Sequence, residues 1–241
     1  MTEQNSPIRF TSAMTGRELL CILFWFPMHL YVLPRIALVL MEQGTLTEST
    51  ANLLVYGVGA LYAVLVCFSF LRTDFDALCD RPFFCIGQIV LSYFSMMAFN
   101  LILSGILSLI ESFGGELLSN QNNEAIVSLA IKETGIMAAM AVFLSPIIEE
   151  ILFRGAVFGF LRSRNRLAAY LVCMLLFSVY HVWGYALQDP AYWIFLLQYL
   201  PAGYLLCRCY ERTNSIWCSI FFHMLINLVS LKALILLEEL L

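Results

Sequence analysis

Long apolar runs separated by short polar stretches follow one another along the whole chain. Seven of them come close to the roughly 20 residues that an α-helix needs to cross a bilayer. They lie near residues 18–41, 51–71, 83–110, 135–161, 167–187, 191–207 and 215–237. This pattern predicts an all-α fold, a polytopic transmembrane helical bundle of seven spans, with eight spans as the alternative.

The composition supports a membrane protein. Hydrophobic residues make up 61% of the chain and charged residues only 12%, whereas a soluble domain averages about 25% charged residues. No long polar segment is left over, so residues 1–241 are expected to form a single membrane-embedded domain. The net charge is −4 and no basic stripe is present, which argues against a nucleic-acid partner.

The basic residues of the predicted loops are distributed unevenly between the two sides of the membrane. One side collects only Lys132, and the other collects Arg9, Arg17, Arg72, Arg81, Arg162, Arg164, Arg166, Arg208 and Arg212. Because cytoplasmic loops are enriched in Lys and Arg, the arginine-rich side is expected to be cytoplasmic. The N-terminus then lies in the cytoplasm.

Two further features are expected to be structural. Residues 111–134 form the longest polar stretch and read as a connecting loop. The alternative is that residues 124–131 form a short amphipathic helix at the membrane interface, shaping the entrance to a site. His29 lies in the first run, where a lone histidine is more often a satisfied structural residue than a catalytic one.

The fourth run carries Glu149, Glu150 and Arg154 inside an apolar segment. Each ionisable group at that depth costs about 2.5–3.5 kcal/mol, so it persists only if it is paired or used. Glu150 and Arg154 are four residues apart and can pair on one helix face, whereas Glu149 is turned about 100° away. Pro146 is expected to kink this helix and admit water beside Glu149. A purely structural ion-pair network is the alternative.

Two later runs carry histidines in apolar surroundings. The fifth run contains Phe177 and His181, and the seventh contains His223 and Asn227, so each pair shares a helix face. At 1.5 Å rise per residue, Glu149 and these polar residues lie roughly 12–21 Å from the cytoplasmic ends of their spans. We therefore expect them to meet near one level in the membrane.

This set of side chains suits hydrolysis. A carboxylate removed from water can act as a general base toward water, and a neighbouring histidine can orient that water. A histidine and an asparagine can stabilise the oxyanion of a tetrahedral intermediate. A zinc site built from the two histidines and a glutamate is the alternative, but HExxH is absent from the sequence. We therefore expect no metal and no other cofactor.

Taken together, the three motifs resemble the CPBP family, the CAAX proteases and bacteriocin-processing membrane proteins, also called Abi. The family pattern is EExxxR, then FxxxH, then HxxxN or HxxxB. In this chain it reads Glu149-Glu150-Ile-Leu-Phe-Arg154, Phe177-Ser-Val-Tyr-His181 and His223-Met-Leu-Ile-Asn227. The likeness covers about residues 120–230, and the first three predicted spans carry no signature.

The resemblance implies an intramembrane glutamic endopeptidase with its catalytic core at about residues 120–230. Glu149 would be the base and His181 its partner in activating water. The oxyanion hole would be formed by His223 and Asn227. The residues implied to support the site are Glu150, Arg154 and Phe177.

The resemblance also bears on substrate and location. The family's eukaryotic branch removes the last three residues of prenylated CAAX proteins, and prokaryotic members are assigned to processing and immunity roles. The compact length resembles the prokaryotic branch, so we expect a multi-pass protein of a prokaryotic cell membrane. The expected substrate is a membrane protein or peptide, lipidated or not, cut within or at the edge of the bilayer.

Two other functions are alternatives to the peptidase. One is a non-catalytic immunity or scaffold protein that keeps the fold, and the other is a proton-coupled transporter that uses the same buried charges. The complete set of motifs argues against a scaffold, which needs neither a base nor an oxyanion hole. The lack of an evident internal repeat argues against a transporter built of duplicated halves.

Overall fold

The computed structural model describes residues 10–112 and 134–238, and every regular element in these ranges is helical. The predicted all-α membrane bundle is thereby confirmed. The described chain forms eight longer helices and a short 3₁₀ helix, Pro190–Phe195, between the sixth and the seventh. The longer helices are α1 (Gly16–Glu42), α2 (Glu48–Val66), α3 (Phe68–Asp80), α4 (Pro82–Ser112), α5 (134–162), α6 (Arg166–Ala186), α7 (Leu196–Thr213) and α8 (Ile216–Glu238).

Five helices in the described ranges are long and apolar enough to cross a bilayer, by length and composition. They correspond to the first, second, third, fifth and seventh predicted runs, and lie at Gly16–Glu42, Glu48–Val66, Pro82–Ile106, Arg166–Ala186 and Ile216–Ala233. Charged residues at the centre of α5 and near the end of α7 make those two helices less apolar. The chain is therefore an integral membrane protein, and the total of seven spans stays a prediction.

Capping residues set several helix ends. Thr15 and Glu18 form a capping box at the start of α1, in which the Glu18 carboxylate accepts the Thr15 backbone N–H at 2.8 Å. Asn165 Oδ1 accepts the Ala168 N–H at 3.0 Å and starts α6. Asn214 has φ of 57° and ends α7 in the left-handed conformation. These caps keep the α5–α6 and α7–α8 connections short, so each pair of helices is adjacent in the bundle.

The fifth helix is not a regular α-helix. Two π-helical segments, Met140–Leu144 and Ile151–Phe158, flank the α-helical turn Ser145–Glu150. At the first junction the Ser145 N–H donates to the Met140 carbonyl, five residues back instead of four. Such π segments are rare and often occur at functional sites.

The fifth helix is also the central one. From Ile148 to Phe158 every side chain except Val157 is buried. The helix packs against α1, α2, α6, α7 and α8. Its ionisable side chains are therefore enclosed by protein.

The sixth and seventh helices approach each other closely at Gly203. A Cβ at this position would lie 3.1 Å from the Met174 Cα and 3.3 Å from the Met174 carbonyl oxygen. These are backbone atoms, which yield less readily than the ends of side chains, so the close contact favours glycine. The contact holds the segment of α6 that carries Phe177 and His181 against α7.

Several arginines of the predicted cytoplasmic side meet at one end of the bundle. The Glu211 carboxylate pairs with Arg162 and, at 2.8 Å, with Arg166. Arg81 donates to a backbone carbonyl at the end of α7. These contacts place α4, α5, α6 and α7 termini together at the same end.

Which membrane side this end faces stays a prediction. Arg9 and Lys132 lie outside the described residues. The same is true of residues 113–133, which include the proposed amphipathic helix at 124–131 and the beginning of the predicted catalytic core.

Candidate active site

A cavity of about 400 Å³ lies inside the bundle between α5, α6 and α8. Glu149 of α5, His181 of α6, and His223 and Asn227 of α8 all line it. The structure thus brings the four predicted catalytic residues around one space. The rest of the wall mixes aromatic, aliphatic and amide side chains, among them Tyr56, Met96, Asn100, Met140, Tyr180, Trp183, Gln198 and Tyr199.

The Glu150 carboxylate is fully buried and both of its oxygens are occupied. Oε1 accepts hydrogen bonds from Arg154 Nη1 at 2.9 Å and from His223 Nδ1 at 2.8 Å. Oε2 accepts from the Ser219 hydroxyl at 2.5 Å. A buried carboxylate is tolerated only with such partners. Glu150 therefore joins α5 to α8, and the ion pair expected with Arg154 is present.

The Arg154 guanidinium is also fully buried and lies beside an aromatic ring. Its Cζ is 4.4 Å from the centroid of the Phe177 ring, within cation–π range. Nη2 donates to the Gly203 carbonyl at 3.4 Å. The Phe177 ring in turn contacts the His181 ring, with centroids 4.5 Å apart. Phe177 thus links the ion pair to the cavity.

The two oxygens of Glu149 have different surroundings. Oε1 accepts a hydrogen bond from the Ser145 hydroxyl, one turn earlier on α5. Oε2 is buried and has no hydrogen-bond partner within the described residues. It lies 3.6 Å from Nε2 of His181 and 3.9 Å from Nε2 of His223. A buried polar atom without a partner is costly, and this one faces the cavity that a ligand or water can enter.

Two contacts fix the ring of His181. Its Nδ1 lies 2.8 Å from the Phe177 carbonyl oxygen. Because a carbonyl oxygen only accepts, Nδ1 carries the hydrogen, and the neutral ring has its lone pair at Nε2. The ring also stacks on Tyr199 of α7, with centroids 4.6 Å apart and an interplanar angle of 22°. The lone pair of Nε2 is therefore held toward Glu149.

The ring of His223 is also held by an acceptor, in this case a charged one. Its Nδ1 faces the Glu150 carboxylate, which only accepts, so Nδ1 carries a hydrogen. When the ring is doubly protonated, Nε2 carries a hydrogen as well, and the adjacent carboxylate stabilises that cation. His223 can therefore present a donor to the cavity.

The side-chain amide of Asn227 reaches back to the fifth helix. Its Nδ2 donates to the Ala141 carbonyl oxygen at 2.8 Å. Ala141 lies in the first π segment of α5. An amide nitrogen carries two hydrogens, so Asn227 keeps a second donor for another acceptor.

The remaining histidine of the membrane region lies beside this site. His29 is buried in the π segment Met28–Val32 of α1. A Cβ on Gly59 would lie 2.6 Å from its Nδ1, so the glycine makes room for the ring. Its side chain lines a second cavity, of about 280 Å³. That His29 is structural stays a prediction.

The alternative zinc site would use Glu149 Oε2 and the Nε2 atoms of His181 and His223 as metal ligands. Within residues 10–112 and 134–238, no group of three or more His, Cys, Asp or Glu residues is arranged to hold a metal ion. The expectation of metal-independent chemistry stays a prediction, which chelation can test.

Three polar contacts of the site were not predicted. Ser145 and Ser219 donate to the two glutamates, and Tyr199 stacks on His181. Ser145 precedes its glutamate by four residues and Ser219 precedes His223 by four, the same spacing that paired Glu150 with its arginine. Only the contact of Ser145 follows from that spacing, because Ser219 reaches Glu150 from another helix. Tyr199 has no comparable signal, because it reaches the site from another helix.

Sequence comparisons agree with the motifs. Residues 132–229 match the profile of the family described as "Type II CAAX prenyl endopeptidase Rce1-like". A Bacillus subtilis (strain 168) protein named "Putative membrane peptidase YdiL" is 31% identical over 109 residues, or 45% of this chain. The match spans 41% of that relative, less than half its length. No solved structure matches the chain significantly.

Proposed function

The chain belongs to the CPBP family through residues 132–229, and we propose that it is an intramembrane peptidase in which Glu149 activates water. The observation that carries the proposal is the pair of facing atoms Glu149 Oε2 and His181 Nε2, 3.6 Å apart in the wall of the cavity. Both atoms are hydrogen-bond acceptors. A single water with two hydrogens can donate to both.

Such a water is both positioned and activated. Its hydrogens are directed to Glu149 and His181, so its oxygen lone pair remains for a carbonyl carbon in the cavity. Proton transfer to a positioned carboxylate makes that oxygen a better nucleophile. Glu149 on α5 supplies the base, and together with His181 on α6 it holds the water close to the reacting carbon.

The reaction follows in two steps. The water oxygen bonds to the scissile carbonyl carbon while Glu149 takes the proton, which gives a tetrahedral oxyanion. The carbon–nitrogen bond then breaks, and the proton passes from Glu149 to the departing nitrogen. The products are a carboxyl terminus and an amine, and no covalent enzyme intermediate or metal is involved.

Donors for the oxyanion come from α8. His223 in its doubly protonated form offers Nε2–H, and Glu150 stabilises the cation. Asn227 offers the amide hydrogen that Ala141 does not use. Preorganised donors of this kind are worth about 10²–10³ in kcat each. Glu150 thus contributes to catalysis only through the histidine that it holds.

We propose a membrane protein or peptide as substrate, cut within or at the edge of the bilayer and lipidated or not. The site is surrounded by helices of the bundle. Five of the described helices are long and apolar enough to cross a bilayer. The wall of the site combines aromatic and aliphatic side chains with amides from Asn100 and Gln198. That mixture suits an extended peptide, whose backbone needs hydrogen bonds and whose side chains are apolar.

A comparison of membrane peptides and protein C-termini in cells tests this proposal. Cells expressing the wild-type chain are compared by mass spectrometry with cells expressing equal amounts of Glu149→Gln. We expect shortened products that are present only with the wild-type chain. Identical peptide sets would contradict the peptidase, and proton-dependent solute uptake into vesicles that is lost with Glu149→Gln would favour the transporter.

A further inference from the structure

A count of backbone donors around the first π segment of α5 shows one carbonyl without a helical partner. In an α-helix the Ala141 carbonyl would accept from the N–H of residue 145, and in a π-helix from that of residue 146. The Ser145 N–H is used by the Met140 carbonyl instead. Residue 146 is proline and has no N–H. Both backbone donors are therefore removed from Ala141.

The missing donor comes from another helix. Asn227 Nδ2 lies 2.8 Å from the Ala141 carbonyl oxygen, across 86 positions of sequence. Ala141 is half-buried in the wall of the cavity. Carbonyl groups inside proteins are nearly always paired, so an unfilled acceptor there attracts a side-chain donor. Pro146 is itself buried and lies in the same turn as Glu149.

We propose that Pro146 is a positioning residue that places the Asn227 amide by withholding a backbone donor from Ala141. This inference deepens the proposed function, since it concerns one of the two oxyanion donors. The hydrogen bond to Ala141 fixes the amide plane and leaves one N–H of Asn227 for the substrate. The bond also ties the Asn227 amide to α5, the helix that carries Glu149. The backbone of α5 therefore sets the distance between the base Glu149 and this oxyanion donor.

The kink and water entry expected at Pro146 stay predictions, and the inference adds a more specific role for this residue. A second proline provides the matched control. Pro34 also follows a π segment, Met28–Val32, after which the Leu33 N–H donates five residues back to the Met28 carbonyl. Pro34→Ala makes the same backbone change on α1, away from Asn227.

The first test measures stability and does not need activity. Pro146→Ala restores an N–H that can donate to the Ala141 carbonyl. Asn227→Ala should therefore lower the melting temperature clearly in the wild-type background and much less in the Pro146→Ala background. In the Pro34→Ala background its cost should be as large as in the wild type. An equal cost in all three backgrounds would overturn the inference.

The second test measures turnover. Alanine is a better helix former than proline, so Pro146→Ala should melt at the same or a higher temperature while kcat falls about tenfold, as coupled neighbours typically show. Added to Asn227→Ala, the same change should have little further effect on kcat. A loss of kcat that is fully additive, or wild-type turnover of Pro146→Ala, would overturn the inference.

The two proposals fail in different ways. If Glu149→Gln keeps full turnover, the peptidase mechanism fails whatever the prolines do. If Glu149→Gln is inactive and Pro146→Ala behaves like Pro34→Ala in both tests, only the role of Pro146 fails.

Discussion

Glu149 Oε2 and His181 Nε2 face each other at 3.6 Å in the wall of the cavity of about 400 Å³. The ring hydrogen of His181 is committed to the Phe177 carbonyl, and Glu149 Oε2 has no partner within the described residues. Two acceptors at this distance are stable only when a donor enters between them. Water is the smallest molecule that supplies both hydrogens, and it is also the co-substrate of hydrolysis.

Glu150→Gln should destabilise the protein. The substitution leaves Arg154 buried without its carboxylate, and removing one partner of a buried ion pair typically costs about 3–5 kcal/mol. It also removes the charge that holds His223. We expect a lower melting temperature and a lower yield of folded protein, with turnover falling in step. Full stability combined with no activity would mean that the roles of the two glutamates are reversed.

Ser145→Ala should lower turnover and also reduce the melting temperature. The Ser145 hydroxyl donates to Glu149 Oε1 and directs Oε2 toward His181. A hydrogen bond to a charged group is worth about 1.5–3 kcal/mol, so we expect kcat to fall about tenfold or more. Ser145→Thr keeps the hydroxyl and should retain most of the activity.

Ser178 provides the control for that comparison. Its hydroxyl is buried on α6 and donates to the Met174 carbonyl, four residues back. Ser178→Ala should therefore leave kcat near the wild-type value. Equal turnover of Ser145→Ala and Ser178→Ala would show that Ser145 does not position Glu149.

Asp74 should make stability depend on pH. This residue lies on α3, outside the spanning helices, where burial raises its pKa to about 7 against the hydrogen bonds from Ile216 N–H and the Ser12 hydroxyl. The folded state thus keeps a proton that the unfolded chain releases near the ordinary aspartate pKa of 3.8. The stabilisation is complete below that value and is lost as pH rises through about 7.

Melting temperatures measured from about pH 5 to pH 8 check this sign. The wild-type protein should become less stable as pH rises across that interval. Asp74→Asn has no proton to lose, so its curve should be flatter. Parallel curves for the two proteins would show that Asp74 does not titrate in this range.

Local spacing predicted part of the site and tertiary packing decided the rest. The pair Glu150–Arg154 follows from a four-residue separation on one helix, as does the contact of Ser145 with Glu149. The bond from His223 to Glu150 joins α5 to α8, and sequence spacing carries no information on that distance. The three motifs nevertheless indicated which side chains would meet, because each lies in a separate apolar run.

The π segments of α5 show a second limit. Their geometry shifts the helical register, and the apolar run 135–161 has no periodicity that distinguishes a π turn from an α turn. Pro146 was visible in the sequence and suggested a kink. Its consequence for the Ala141 carbonyl depends on where the Ser145 N–H donates, which only the backbone path reveals.

The most direct test of the central claim is the turnover of purified Glu149→Gln on a membrane peptide substrate. The substitution keeps the shape of the side chain but provides no base, so the melting temperature should stay near that of the wild type. Turnover should fall by about 10²–10⁴-fold, as expected for the loss of a general base. A folded Glu149→Gln protein that cleaves at nearly the wild-type rate would contradict the mechanism.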